Sequence, residues 1–465
     1  MSRTGHRVAV IGGGITGLAA AHALSIAGTE VVVFEADHRF GGKLRTSPFA
    51  GREAIDEGPD AFLARLPWAT DLARTVGLGD ELTSPAAASA ALWMHRLHPI
   101  PGGLLLGMPT GAAALARSRL LSWRGKVRAA LEPVLPRTPT DHDSLGGYVR
   151  ARFGREVHER LVDPLVGSIY AADTDRFSLA AVPQIADLAT GSRSVLVASR
   201  ARPATSAADG PVFYAPRGGL GSFASAVADA ATAAGARLVS GCTVEALHAG
   251  PDGAWLVDIG HSSHTEIDVA FDGVVLAAPA RDAARMVGGI APSATSVLHR
   301  IEAADVVIVT LAIDAAQWPT RLTGMSGYLV PKPVQRLVTA VSFGSQKWAH
   351  WADDRTVVLR VSLGRDGLPV LHLSDDELVA AAVSEVGHHL GVALRPTDVR
   401  LTRWPGAFPQ YRPHHAALVA DAQAALPPTI RLAGASYHGI GIPACIRSAQ
   451  QAAASLSQSV EGMAQ

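Results

Sequence analysis

Residues 8–36 read VAVIGGGITGLAAAHALSIAGTEVVVFEA, and this stretch constrains the fold more than any other. Val8 to Ile11 is a short β-branched run of the kind buried in a parallel sheet. The next six residues, Gly12-Gly13-Gly14-Ile15-Thr16-Gly17, fit G-x-G-x-x-G. Leu18 to Leu24 reads as an Ala-rich helix, Gly28 ends it or its following turn, and a second strand from Glu30 to Phe34 runs into Glu35 and Ala36. In such a unit Gly12 makes the tight turn, Gly14 lets the backbone approach a pyrophosphate, and Gly17 lets helix and strand pack closely. The helix N-terminus offers N–H donors and a positive dipole end to the phosphates. Glu35, 18 residues past Gly17, is placed to accept hydrogen bonds from a ribose hydroxyl pair. A glycine-rich turn that binds nothing is the alternative, and the complete strand–helix–strand–acid order argues against it. Both NAD and FAD remain open at this point.

Length and charge narrow the field. At 465 residues the chain exceeds one ordinary core, and two or three domains are expected. Lys+Arg and Asp+Glu balance at 41 each, so nothing in the charge favours nucleic acid as a partner. Two cysteines, Cys242 and Cys445, are too few for a disulfide framework or a cysteine-rich metal site, which points to a reducing compartment. His414-His415 lacks acidic or Cys partners at ligand spacing, so no metal is expected. The glycines interrupt the apolar N-terminal run, no signal-peptide cleavage pattern follows, and no uninterrupted run of about 18 apolar residues occurs. The expected location is cytoplasmic, with surface contact to a membrane left open.

The segment Glu35-Ala36-Asp37-His38-Arg39-Phe40-Gly41-Gly42-Lys43 separates the two dinucleotides. An acid, a short spacer and Gly-Gly-Lys resemble the extended FAD fingerprint of glutathione-reductase-type flavoproteins, in their amine oxidase and protoporphyrinogen oxidase branch. Gly41 and Gly42 permit close backbone approach, and Lys43 adds positive charge near the diphosphate. Further on, Ser222 to Ala234 reads as a helix and Val239 to Val244 as a strand, with Val244 matching the position whose backbone meets the adenine in that family. Asp272 to Ala278 reads as the strand closing the FAD domain. Arg431 to Ala435 is a strand running into a Gly turn, and Gly439-Ile440-Gly441-Ile442-Pro443 precedes a helix from Ala444 to Leu456. That helix N-terminus would aim its dipole at the electron-rich edge of the flavin; an ordinary strand–turn–helix is the alternative.

The resemblance then becomes specific and runs nearly end to end. Ile55-Asp56-Glu57-Gly58-Pro59-Asp60-Ala61-Phe62, the segment from Leu97 to Gly103, Gly107-Met108-Pro109-Thr110, Ser168 to Asp173, Pro216 to Leu220, Ser326 to Pro331, Lys347-Trp348, Trp404 to Tyr411 and Gly439 to Pro443 all resemble protoporphyrinogen/coproporphyrinogen oxidases. LHPIPGG and GMPT are more similar to the Gram-positive type, whose members largely act on coproporphyrinogen III. The resemblance implies removal of six electrons and six hydrogens to give coproporphyrin III in heme biosynthesis, with three O2 reduced to H2O2. It also leaves room for transient contact with a ferrochelatase. Two departures stand out. Ala449 replaces a frequent Gly in the final helix, a packing variation. In the region Ala87 to Ala91 the arginine of membrane-bound relatives is missing, which removes one candidate carboxylate anchor.

The implied fold is α/β in several domains: a Rossmann-like FAD-binding domain of the glutathione-reductase/amine-oxidase type, a β-sheet substrate domain and a helical lobe. The first FAD segment would run over residues 1–85, the lobe over 86–214, the second FAD segment over 215–285, the substrate domain over 286–403 and the third FAD segment over 404–465. The resemblance puts Glu57, Gly58, Pro59, Asp60 and Trp404 beside the cofactor, with Gly441, Ile442 and Pro443 at the flavin. A porphyrinogen is a nearly neutral macrocycle rimmed with propionates, so its site should be a broad apolar slot with basic groups at the edge. Asp60 would meet a pyrrole N–H or flavin-bound water, or simply cap its turn. Arg65 would meet a propionate, or stay a solvated charge. Tyr170 and Tyr328 would line the slot, or belong to the core. No side-chain base stands out. Protoporphyrinogen IX is the alternative substrate for the same chemistry, and two other readings compete. One is an amine oxidase or carotenoid desaturase on the same fold. The other is a cofactor-poor binding module like the Rab-escort/GDI proteins, against which the intact Gly12, Gly14, Gly17, Glu35 and Lys43 argue.

Overall fold

The computed structural model describes residues 6–86, 89–200, 210–260 and 270–463. Eight elements form the parallel sheet of the dinucleotide domain and the helices on one of its faces: β1 (Arg7–Ile11), α1 (Ile15–Ile26), β2 (Glu30–Phe34), α2 (Gly219–Ala233), β3 (Arg237–Val239), β4 (Gly273–Leu276), β5 (Ile430–Leu432) and α3 (Ile442–Met463). The five strands form one parallel sheet in the order β3-β2-β1-β4-β5. Val10 lies between Val33 and Val275, and all three are fully buried. Burial of each such side chain contributes about 1.5–3 kcal/mol. Small residues bring α1 onto the sheet: Ala19, Ala20 and Ala21 are buried, and a Cβ added at Gly17 would stand 1.8 Å from the Gly12 carbonyl oxygen.

The sheet has two covered faces. Leu18, Phe223, Val227, Ile446 and Leu456 pack α1, α2 and α3 on one face. On the other lie an antiparallel sheet (Val244–Ala249, Trp255–Ile259, Ala270–Phe271) and the helices Ala280–Met286, Pro292–Leu298 and His415–Ala424. Burial on both faces explains why β1 and β2 read as continuous apolar runs rather than alternating ones. The stretch Val239 to Val244, expected as one strand, is instead the corner between the two sheets: β3 ends at Val239 and the next strand begins at Val244. Two of its corner residues turn back onto the end of β2, with the Gly241 N–H donating to Asp37 O and the Cys242 N–H to Glu35 O, each at 2.8 Å.

The second domain rests on a seven-stranded sheet in the order Pro396–Pro409, Ala303–Asp314, Thr356–Leu363, Val338–Phe343, Met325–Leu329, Ser89–Trp93, Leu97–Pro99. Its alternation sorts side chains by face. Ala91, Trp93 and Tyr328 go with the helix Asp375–Leu390, and Leu92 and Leu329 go with the helical lobe. That helix is well delimited by a Ser374/Glu377 capping box at its start and Gly391 at φ 65° after its end.

The lobe comprises the helices Ala112–Arg117, Trp123–Ala130, Leu145–Phe153, Asp163–Tyr170, Pro183–Gly191 and Val195–Arg200 around Val149, Phe153, Val166 and Phe177. Three expected boundaries shift. The segment 86–214 opens with two strands of the seven-stranded sheet, so its helices begin only at Ala112. Pro292–Leu298, expected in the substrate domain from 286 onward, packs in the dinucleotide domain through Ala294 and Leu298. The strand Pro396–Pro409 crosses the boundary expected at 403. Of the stretch 87–91, residues 87 and 88 lie outside the described residues. Ala449 is fully buried where α3 meets α1, which fits a packing variation.

Candidate active site

The glycine loop closes on a second glycine loop. The Gly12 N–H donates to Phe34 O at 2.8 Å, and the Gly41 N–H donates to Gly13 O at 2.8 Å, forming a bridge between Gly14 and Gly41. Gly12, Gly41 and Gly42 adopt φ of 105°, 103° and 55°, in the region only glycine enters freely. Gly14 is the N-cap of α1 with no side-chain cap, and no atom lies within 4 Å of where its Cβ would be. The first N–H groups of α1 therefore face open space. Ile15 and Thr16 bury their side chains in the protein, Thr16 against Gly434 and the Cys445 thiol, so both present backbone rather than side chain to that space.

Glu35 closes the distal end. Its carboxylate accepts from the Gly13 N–H at 2.5 Å and from the Asp37 N–H at 2.8 Å, which fixes it at the end of β2 with both oxygens oriented. Ala36 beside it is exposed. Val244 begins its strand at the same end, but its carbonyl already accepts from the Arg285 guanidinium at 3.1 Å. An adenine would share that oxygen with arginine.

At the proximal end α1 and α3 run side by side in one core, and the Thr16–Cys445 contact brings their N-termini together. Gly439, at φ 115°, turns the chain into α3; Gly441 is exposed, with only Pro443 Cδ, at 3.8 Å, near its Cβ position. Ile442 and Pro443 are buried in the first turn, where proline costs no hydrogen bond. Lys43 is exposed to this space and makes no hydrogen bond or ion pair among the described residues. Although its side chain reaches solvent, the protein packed around it displaces enough water to lower its pKa, and the nearby Cys445 works in the opposite direction.

The Glu57–Asp60 turn is fastened underneath. A Cβ on Gly58 would stand 2.2 Å from Lys43 O and 3.5 Å from the Trp404 ring, while the Trp404 indole N–H donates to Glu57 O at 3.0 Å. The side chains of Glu57 and Asp60 are both engaged by other parts of the protein. The Glu57 side chain is buried and spent on Ser47, Thr402 and Arg45, which leaves Glu57 only its backbone for a ligand. Asp60 accepts from Lys347 Nζ at 2.9 Å on both oxygens and from the Trp348 indole at 3.2 Å, with Arg360 at 3.3 Å. Burial alone would push its pKa up, but Lys347 and Arg360 hold the carboxyl well below the usual carboxylate range. Asp60 is thus an ionised staple fastened to Lys347, Trp348 and Arg360. Pro59 is exposed.

Tyr170 and Tyr328 separate. Tyr170 is half-buried in the apolar cluster that includes Leu329 and Ile440, and its hydroxyl donates to Ala181 O at 3.3 Å. Tyr328 is 1% exposed on the opposite face of the sheet, its hydroxyl 3.0 Å from His389 Nδ1, and lines no slot. Arg65 is exposed and makes no ion pair among the described residues.

The sequence reading missed Tyr411. Its hydroxyl donates to Ala435 O at 2.6 Å and accepts from the Gly439 N–H at 2.7 Å, and His415 stacks on its ring at 4.0 Å. This occupies one of the two paired histidines, and burial lowers the pKa of His415 to about 4. The sequence signal for Tyr411 is the segment Trp404 to Tyr411, which carries no hint of a partner 28 positions away.

Two adjacent helix N-termini, an unpaired lysine, open glycine Cβ positions and a carboxylate held at the far end make up an elongated cradle. It fits an adenine dinucleotide whose phosphates lie at α1 and whose ring system reaches α3. The fold and the cradle define an FAD-dependent oxidoreductase. Residues 15–457 match the family described as flavin containing amine oxidoreductase. The chain is 35% identical to a coproporphyrinogen III oxidase of Mycobacterium leprae, covering 98% of this chain and 99% of the relative. It is 30% identical to one of Bacillus subtilis, covering 96% and 97%. A crystal structure from Exiguobacterium sp. 255-15 superimposes with a TM-score of 0.86 at 28% identity, covering 99% and 100%. Putrescine oxidase bound to putrescine shares the fold, with a TM-score of 0.68 at 18% identity over 97% and 99%. The chain belongs to the flavin-containing amine oxidoreductase family, and its cofactor is FAD.

Proposed function

We propose that this chain oxidises coproporphyrinogen III to coproporphyrin III in heme biosynthesis. The observation that carries this reading is the end-to-end similarity to relatives named coproporphyrinogen III oxidase, from organisms as distinct as Mycobacterium leprae and Bacillus subtilis. Six electrons and six protons leave the macrocycle, and three O2 become three H2O2. FAD, when bound, supplies a two-electron hydride acceptor that O2 can reoxidise. The chain's own part is to hold, orient and exclude water. Leu329, Ile440 and Tyr170 belong to one apolar cluster, which suits the wall of a slot for a nearly neutral ring. Arg65, exposed and unpaired among the described residues, suits a propionate partner.

Around the cradle the carboxylates are committed. Asp60 is held by Lys347 and Arg360, and Glu57 by Ser47 and Thr402. This supports a reaction in which pyrrole protons pass to water rather than to a side-chain base. Among the described residues no helix is long and apolar enough to cross a membrane. We read the enzyme as cytoplasmic, with O2 as acceptor and transient contact with a ferrochelatase, which consumes the product.

The test is direct. Anaerobically prepared coproporphyrinogen III should yield a porphyrin Soret band and H2O2 with the purified yellow protein. A yield no greater than that of a no-enzyme control overturns the reading. Initial rates on protoporphyrinogen IX, measured alongside, decide between the two porphyrinogens.

A further inference from the structure

The strand Leu97–Pro99 is the outermost of the seven-stranded sheet, and the chain from it to Leu120 folds back over that edge. Between them lies a cleft of about 750 Å3. His98, Pro99, Ile100 and Pro101 form one wall, Ala113 and Ala114 come from the facing helix, and Gly102, Gly103 and Gly111 line it without side chains. Arg117 and Arg119 complete the lining. No lining residue belongs to the glycine loops, the Glu57–Asp60 turn, Trp404 or the Gly439–Pro443 turn, so the cleft stands apart from the flavin cradle.

The charge in this cleft is one-sided. Arg117 donates only to the backbone of its own helix, at Ala113 O, and Arg119 has no hydrogen bond or ion pair among the described residues. A third guanidinium, Arg96, stands with its Nε 3.4 Å from His98 Nε2. His98 is 8% exposed, and burial together with Arg96 and Arg119 lowers its pKa, so the imidazole is neutral and adds a polar contact without a charge. An exposed arginine alone is a solvated charge. Here two of them face a largely apolar cavity backed by prolines, an arrangement complementary to a flat apolar body with anionic groups at its edge.

We infer that this cleft docks the propionate rim of the tetrapyrrole outside the flavin cradle, with Arg117 and Arg119 gripping carboxylates while the ring lies against Pro99, Ile100 and Pro101. The inference rests on the porphyrinogen reading above and extends it to specificity. Coproporphyrin carries four propionates, whereas protoporphyrin carries two and replaces the others with vinyl groups. A guanidinium pair reading the additional carboxylates therefore favours the coproporphyrin series, because a porphyrin without them leaves the arginines unpaired.

The test uses the oxidised holoenzyme without turnover. Coproporphyrin III and mesoporphyrin IX, which has two carboxylates, are titrated by porphyrin fluorescence against the wild type, Arg117→Ala, Arg119→Ala and Arg119→Gln, with FAD content measured for each. Each variant should keep its FAD and bind coproporphyrin III about tenfold more weakly. Mesoporphyrin IX binding should change little. Unchanged coproporphyrin III binding, or an equal loss for both porphyrins, overturns the inference. Turnover by the wild type separates the two levels. No porphyrin from coproporphyrinogen III overturns the proposed function, whereas normal turnover with unaltered titrations overturns the cleft alone.

Discussion

The Tyr411 hydroxyl and the Gly439 N–H meet at 2.7 Å, and the same hydroxyl donates to Ala435 O, so one side chain ties both ends of the loop that leads into α3. Tyr411 lies at the end of the substrate-domain strand, and Gly439 begins the turn at the flavin end of the cradle. Burial raises the phenol pKa far above neutrality, so the hydroxyl stays protonated and keeps both bonds. Tyr411→Phe leaves two half-buried backbone groups without this partner, which costs about 1 kcal/mol. The expected result is a lower unfolding midpoint together with faster loss of FAD on dilution; Phe at 411 with both unchanged would mean the loop is held elsewhere.

Two glycines of one motif should fail in different ways. At Gly14 a Cβ meets nothing in the protein, whereas at Gly17 it would stand 1.8 Å from Gly12 O. Gly14→Ala is expected to fold normally and to lose FAD, because the methyl occupies the phosphate space. Gly17→Ala is expected to misfold or to lose several kcal/mol of stability, since backbone must move. Circular dichroism and flavin absorbance on both variants check this.

Asp56 gives a pH signature. Burial raises its pKa to about 6, against the opposing effects of the Thr46 hydroxyl, Arg360 and the Leu220 N–H. A raised acid pKa means the folded state holds its proton more tightly than the unfolded state. The associated stability is present below about pH 4 and is lost as pH rises to about 6, by about 3 kcal/mol. Asp56→Asn keeps an oxygen for Thr46 and Leu220 and removes the ionisation. The stability of the variant relative to the wild type should therefore rise between about pH 4 and pH 6 and then level off. Denaturant unfolding at several pH values measures it, and a flat difference would contradict the assignment.

Asp60 is expected to matter for folding before chemistry. Asp60→Asn strips the charge facing Lys347 and Arg360 and should cost about 3–5 kcal/mol. Adding Lys347→Met to it should recover part of that loss, as a double-mutant cycle would show. A catalytic Asp60 would instead leave stability intact and lower only the turnover rate.

What could be read from the sequence follows a physical divide. The β1–α1–β2 unit is local, and its strand Glu30–Phe34 lies where the apolar run and Glu35 put it. Helix α3 was legible in kind but not in length, running from Ile442 to Met463 beyond the expected Ala444 to Leu456, because its small and polar residues blur the apolar pattern. Non-local relationships were not legible. Asp60 and Lys347 are 287 positions apart, and no spacing rule joins them. Whether Tyr328 lines the slot or joins the core was open for a simpler reason: strand alternation sends it to the face opposite Leu329, and the strand's orientation depends on partners that the sequence does not name.

The pairing of α1 with α3 also bears on how the protein is made. The first wall of the cradle leaves the ribosome well before the Gly439–Pro443 turn and the helix lying along α1. Until then α2 alone covers α1, the side of α1 that α3 will cover lies open, and the flavin end lacks this wall. A chain cut before residue 439 should therefore hold no flavin and leave the apolar side of α1 open, which makes it prone to aggregate.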